Sequence, residues 1–290
     1  MLQSLLLIWV LALDPEGAAG VYERELGYQR GESGWLQADL AAAMERPELA
    51  GRPFQTVYPP EGPRVGIRWV QGGSKEFQSM ARLGWSAIEF LVRDPDDLAG
   101  KLEGKGFNLL HGPEFLTEQR NIRAAQLTGP ASELLYVTRI EDPSRSLLPV
   151  VMPSVAVGHP FIMVAGSRDL DATIAFFRRH FANPVTDRIP FRIDVLAEAY
   201  GQPSETPYDL ALVQFAAPFG LEFDQYPAAA RNQPLPLAER GGVILVTVAV
   251  EAESLPAPLP YVMEFPPHAG QASGGVIQLP SGTPMAVRLR

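Results

Sequence analysis

The stretch FIMVAGSRDLDATIAFFRRHFA, residues 161–182, reads as an apolar strand that runs straight into a capped helix. Asp169 stands where a helix N-cap belongs: its carboxylate can accept the orphan N–H bonds and suits the positive end of the helix dipole. Leu170, Ile174 and Phe177 then fall on one helical face, the stripe that packs on a sheet. The same order occurs twice upstream. LLLIWVLAL (5–13) leads into DPEGAAGVYERELGY (14–28), and WSAIEFLVR (85–93) into DPDDLAGKLEGKGF (94–107). Asp14 and Asp94 take the cap position, and Gly27 and Gly106 the position just past each helix, where positive φ is wanted. A fourth copy, GVILVTVAV (242–250) then EAESLPAP (251–258), keeps the strand but has a Pro-interrupted stub for a helix.

After each helix come short alternating or β-branched runs ended by turn residues. They are PFQTVYP and VGIRWVQG in copy one, with WLQADLA a weaker candidate. Copy two has NLLHGP, NIRAAQLTGP and ELLYVTRIE, and copy three YDLALVQFA and GLEFDQYP. YVMEFP, GVIQLP and MAVRLR complete copy four. The chain is therefore read as α+β, four βαβββ modules paired into two domains with curved, mostly antiparallel sheets, since one module cannot bury its sheet alone. The expected boundaries are 1–142 (modules 1–75 and 83–142), a Pro-rich linker over 143–157 that crosses between domains, and 158–290 (modules 158–228 and 241–290). A second Pro-rich stretch, 226–240, joins copies three and four.

Composition narrows the function classes. Of 290 residues 46% are hydrophobic and 20% charged, as in a globular protein. The net charge of −9, with no Lys/Arg cluster, argues against nucleic acid or an anionic membrane surface as partner. There is no cysteine, which removes disulfides, thiolate zinc sites and a thiol nucleophile and fits a reducing, cytoplasmic setting. The opening MLQSLLLIWVLALD has no cation before its apolar run and is too short to span a bilayer. It reads as a buried strand, with a secretory leader as the alternative. No Gly-rich phosphate loop or nucleophile elbow is present, so no cofactor is expected.

The motifs DLDATIAFFRRHFA, DPDDLAGKLEGKGF with the downstream LTGPASELLYV, and GLEFDQYP together resemble the vicinal oxygen chelate superfamily of glyoxalase I, bleomycin-resistance proteins and extradiol dioxygenases. The resemblance covers nearly the whole chain, most clearly 84–140 and 157–228. It implies a curved, incompletely closed sheet with a ligand on its concave side. It also implies a divalent metal held by His, Gln or Glu from first strands and a Glu late in last strands. Those positions fall at Leu7, Ala87, Phe161 or Ile162, and Thr247, and at Tyr136 and Asp224 with Glu222 beside it. Three or four donors must converge on a metal. No metal is therefore expected, with a relocated site as the alternative.

Strand alternation then selects the candidates. Glu89, between Ile88 and Phe90, is the candidate general base, or else a carboxylate paired with Arg68. Tyr136 or Arg68 would stabilise a substrate oxygen. Leu7, Trp9, Trp69, Gln126, His159, Phe161 and Asp224 are candidate ligand contacts, Trp9 and Trp69 together forming a flat apolar wall. His111, His180 and His268 show no ligand spacing. The expected activity is a metal-independent lyase, isomerase or hydrolase acting on a small apolar or aromatic catabolite. The alternative is a binding protein that sequesters such a compound. A small-molecule ligand is the expected partner, and a homodimer stays open.

Overall fold

The computed structural model describes residues 1–74, 77–230, 241–265 and 273–290. His268 and most of the second Pro-rich stretch (231–240) lie outside them. Module one comprises β1 (Leu2–Ala12), α1 (Pro15–Leu26), β2 (Gln29–Trp35), α2 (Ala38–Ala43), β3 (Pro53–Tyr58) and β4 (Gly66–Gln71). Module two comprises β5 (Gly84–Val92), α3 (Pro95–Leu102), β6 (Asn108–Phe115), β7 (Ile122–Thr128) and β8 (Leu134–Ile140). Module three runs β9 (Val157–Ser167), α4 (Leu170–His180), β10 (Ile189–Arg192), α5 (Asp194–Ala199), β11 (Pro207–Gln214) and β12 (Gly220–Gln225). Module four runs β13 (Gly242–Val250), β14 (Tyr261–Phe265), β15 (Gly274–Gln278) and β16 (Pro284–Leu289), with a single 3-10 turn, Ala252–Ser254, in place of the helix.

The caps follow the sequence. Gly17 N donates to Asp14 at 3.0 Å, Asp96 N and Asp97 N to Asp94 at 3.0 and 3.1 Å, and Ala172 N to Asp169 at 2.9 Å. Gly27 closes α1 at φ 72°. Gly106 does not close α3, which ends at Leu102 with Glu103 as its cap. WLQADLA is not a strand, because its second half is α2. The true β2, QRGESGW, is a largely exposed edge strand, and a strand without a buried face carries no apolar alternation.

The strands form two curved, eight-stranded sheets, β14-β15-β16-β13-β1-β4-β3-β2 and β10-β11-β12-β9-β5-β8-β7-β6. Each is mostly antiparallel, with parallel pairs only where a module's first and last strands meet. Module one is thus hydrogen-bonded to module four, and module two to module three. The pairing of consecutive modules across a 142/158 boundary is corrected accordingly: residues 143–157 run from β8 to β9 within one sheet, where β9 pairs antiparallel with β5. The first strands lie at the centre of each sheet. β5, β9 and β13 are buried along their whole length, as central strands covered on both faces must be.

The helix-bearing faces of the two sheets share one core. Tyr22 of α1 packs at 4.7 Å from the Trp69 ring and at 5.8 Å from Phe107 of module two. Its hydroxyl donates to buried Glu133 at 2.9 Å. No helix among the described residues is long and apolar enough to cross a membrane.

Candidate functional site

The opposite faces of the two sheets differ. On the outer sheet (modules one and four) that face is filled. Trp9 and Leu11 of β1, Val70 of β4 and Leu245 of β13 pack against Leu36, Ala41, Met44 and Leu49 from the segment that carries α2. On the inner sheet (modules two and three) it holds a cavity of about 220 Å³. Gln126, Tyr136, Glu89 and Ile162 line it as one row across four adjacent strands, each in register with the next. Glu222 reaches it from β12, and Phe161, Leu210, Leu212 and Ile122 supply apolar wall. The linker supplies the rim, through Arg145, Ser146, Leu147 and Leu148. Edge strands β6 and β10 draw together there: Arg192 bonds Glu114 at 3.1 Å, and His111 meets Glu198 of α5 at 2.7 Å.

The inner end of the cavity is a cluster of acids. Glu89 is only 8% exposed, and burial pushes its carboxyl up to about 7. Asp224 lies two residues beyond Glu222 and opposite Leu210, so it shares the cavity face. It is fully buried, and its carboxyl is hydrogen-bonded to that of Glu222, which requires a proton between the two. Burial pushes it up to about 8, with the charge of Glu89 adding to the shift. Glu222 is raised well above the usual carboxylate range, by burial first and then by the charges of Asp224 and Glu89. The Tyr136 hydroxyl, buried beside all three, also has no partner, and neither has Gln126 Oε1. With no cation among them, burial favours the protonated forms of these carboxyls.

Of the residues chosen from sequence, Glu89, Tyr136, Gln126 and Phe161 line this cavity, and Asp224 stands behind Glu222. Arg68, Leu7 and Trp9 belong to the other sheet. Arg68 donates to Thr56 Oγ1 at 2.7 Å and stacks 4.1 Å from the Phe54 ring and 4.8 Å from Trp9. The nested pairing puts Arg68 and Glu89 in different sheets, so the expected pair between them is not formed. Trp69 is in register with Val10, not Trp9, and faces α1, so the two tryptophans share no wall. His159 is buried outside the lining, edge-on to Phe219 at 5.5 Å, and burial lowers it to about 4. The linker's contribution was missed. Its apolar LLPVV run (147–151) was the available signal.

The resemblance implies a metal, and the residues present do not fit one. Leu7 and Thr247 face each other across β1–β13, and Ala87 meets Val164. Among the described residues no group of three or more His, Asp or Glu side chains is arranged to hold an ion.

Solved structures were compared with this architecture. Glyoxalase I from Zea mays superposes with a TM-score of 0.62 at 11% identity, over 98% of this chain and 91% of that one. A candidate dioxygenase from Bacillus subtilis superposes with a TM-score of 0.62 at 11% identity, over 99% and 85%. The chain has the vicinal oxygen chelate fold. At such identity the likeness is one of fold. No family model matches the sequence, and no curated protein matches it significantly.

Proposed function

We propose that the inner cavity binds a small, mostly apolar molecule and moves a proton on it without a metal, as an isomerase or lyase does. Glu89 is the base, Tyr136 donates to the developing oxygen anion, and Glu222 with Asp224 receives or returns the proton. The observation that carries this reading is the row Gln126–Tyr136–Glu89, which sets a desolvated carboxyl beside an unpartnered phenol inside an apolar enclosure. A carboxyl brought to about 7 is matched to proton transfer near neutral pH.

One observation favours a second reading, a sequestering protein. The cation that sequence analysis assigned to the substrate oxygen, Arg68, lies in the other sheet, leaving a phenol as the oxygen's stabiliser. The two readings separate by hydrogen exchange. Incubation with 1-phenylpropan-2-one in D2O, followed by proton NMR, is expected to show catalysed loss of the benzylic signal. Glu89→Gln should slow that loss at least about 100-fold, the usual size of a general-base contribution. Binding without exchange in the wild type would select the sequestering reading.

A further inference from the structure

We infer that the molecule taken by this cavity carries a protonated amine, seated against Glu222 and Asp224 at the inner end of an otherwise apolar body. The inference rests on the reading above that the cavity is a ligand site, and adds its chemical class.

The argument is one of unmatched acceptors. Glu89, Glu222 and Gln126 present oxygens to the cavity, Gln126 Oε1 and the Tyr136 hydroxyl beside them have no partner, and the fully buried carboxyl of Asp224 is hydrogen-bonded to that of Glu222. Tyr136 can satisfy one acceptor at most. The basic side chains that line the cavity among the described residues are Arg145 and Arg192, and both stand at the rim. Arg145 is exposed, while Arg192 is bonded to Glu114 at 3.1 Å and to Asp194 at 3.5 Å. Carboxyls buried together with no cation beside them keep protons they would lose in water, and a ligand that brings a positive charge and donors can take the place of one of those protons. An anionic group at the inner end would add charge beside three carboxyls. An ammonium brings three N–H donors and the missing positive charge. The walls select the rest of the molecule: Phe161, Leu210, Leu212 and Ile122 favour an aliphatic or aromatic body.

The exchange balances. The ammonium enters with its three protons, one carboxyl of the cluster gives its proton to solvent, and the charge within the cavity is unchanged. No buried excess charge is created, which is the condition for burying an ion pair.

The test compares three probes of similar size by isothermal titration calorimetry: 2-phenylethylamine, 2-phenylethanol and 3-phenylpropionate. The amine is expected to bind at least tenfold more tightly than the alcohol, and the carboxylate not at all. Repeating the amine titration in buffers of different ionisation enthalpy should show release of up to one proton per amine bound, a readout that needs no variant. Glu222→Gln should reduce the ratio of amine to alcohol affinity at least tenfold. Equal binding of alcohol and amine, or amine binding without proton release, overturns the amine class but leaves the cavity as a ligand site. Binding of none of the three overturns both readings.

Discussion

Asp224 is a residue at which this fold bears a local cost. Its carboxyl is held up to about 8 by burial, whereas in the unfolded chain it titrates near ~3.9. Between these values the unfolded chain loses a proton that the folded chain keeps. Asp224 therefore makes stability fall as pH rises from about 4 to about 8. Asp224→Asn removes that dependence. Its advantage over the wild type in urea unfolding should be small at pH 4 and grow with pH to at most about 5 kcal/mol at pH 8. An advantage that does not change with pH would mean that the carboxyl does not titrate in this window. Glu89, pushed up to about 7, contributes in the same direction over a narrower range. These residues were legible one at a time. A Glu within an apolar strand and a Glu-x-Asp step on another announce themselves through alternation. That Glu89 and Glu222 meet was not legible, because it depends on which strands pair.

At the scale of elements, local chemistry carried over well wherever a segment has its own code. The three Asp caps behave as the sequence implies, and Asp94→Ala, which frees two backbone donors of α3, should cost about 1 kcal/mol in thermal or chemical unfolding. Elements whose form depends on their surroundings were harder to read. β2 has no buried face, and β10, only IPFR, is too short for a period. The segment carrying α2 gave no hint that it would fill the outer sheet's concave side. Leu49, 4% exposed in that filling, should cost about 2–4 kcal/mol when changed to Ala. If the face were instead an open site, the substitution would be nearly neutral in an unfolding titration.

For the whole molecule, the count of modules was legible and their partnership was not. Every first strand is equally apolar, so no residue states which of the other three it will pair with. The outcome is a nested order, and the two sheets are tied by buried bonds. The Tyr22 hydroxyl donates to Glu133 Oε1 at 2.9 Å, the Tyr28 hydroxyl to the Gly158 carbonyl at 2.7 Å, and Trp85 Nε1 to the Pro284 carbonyl at 2.9 Å. Tyr22→Phe should cost about 1–3 kcal/mol, since it leaves a buried carboxyl short of a donor. Calorimetry should still show one transition for the variant, as for the wild type. Fragments 1–142 and 158–290 each contain half of both sheets, so circular dichroism should show native strand content only after the two are mixed. Cooperative unfolding of 1–142 by itself would refute this account of the core.

The nested order also sets a sequence of events during synthesis. β1 emerges before the inner sheet, yet its antiparallel neighbour β13 begins only at Gly242, after the whole inner sheet has been made. The inner sheet can close while the chain is still growing. β1 is thus made long before it can be fully paired, with an apolar edge open to chaperones or to other nascent chains until β13 follows.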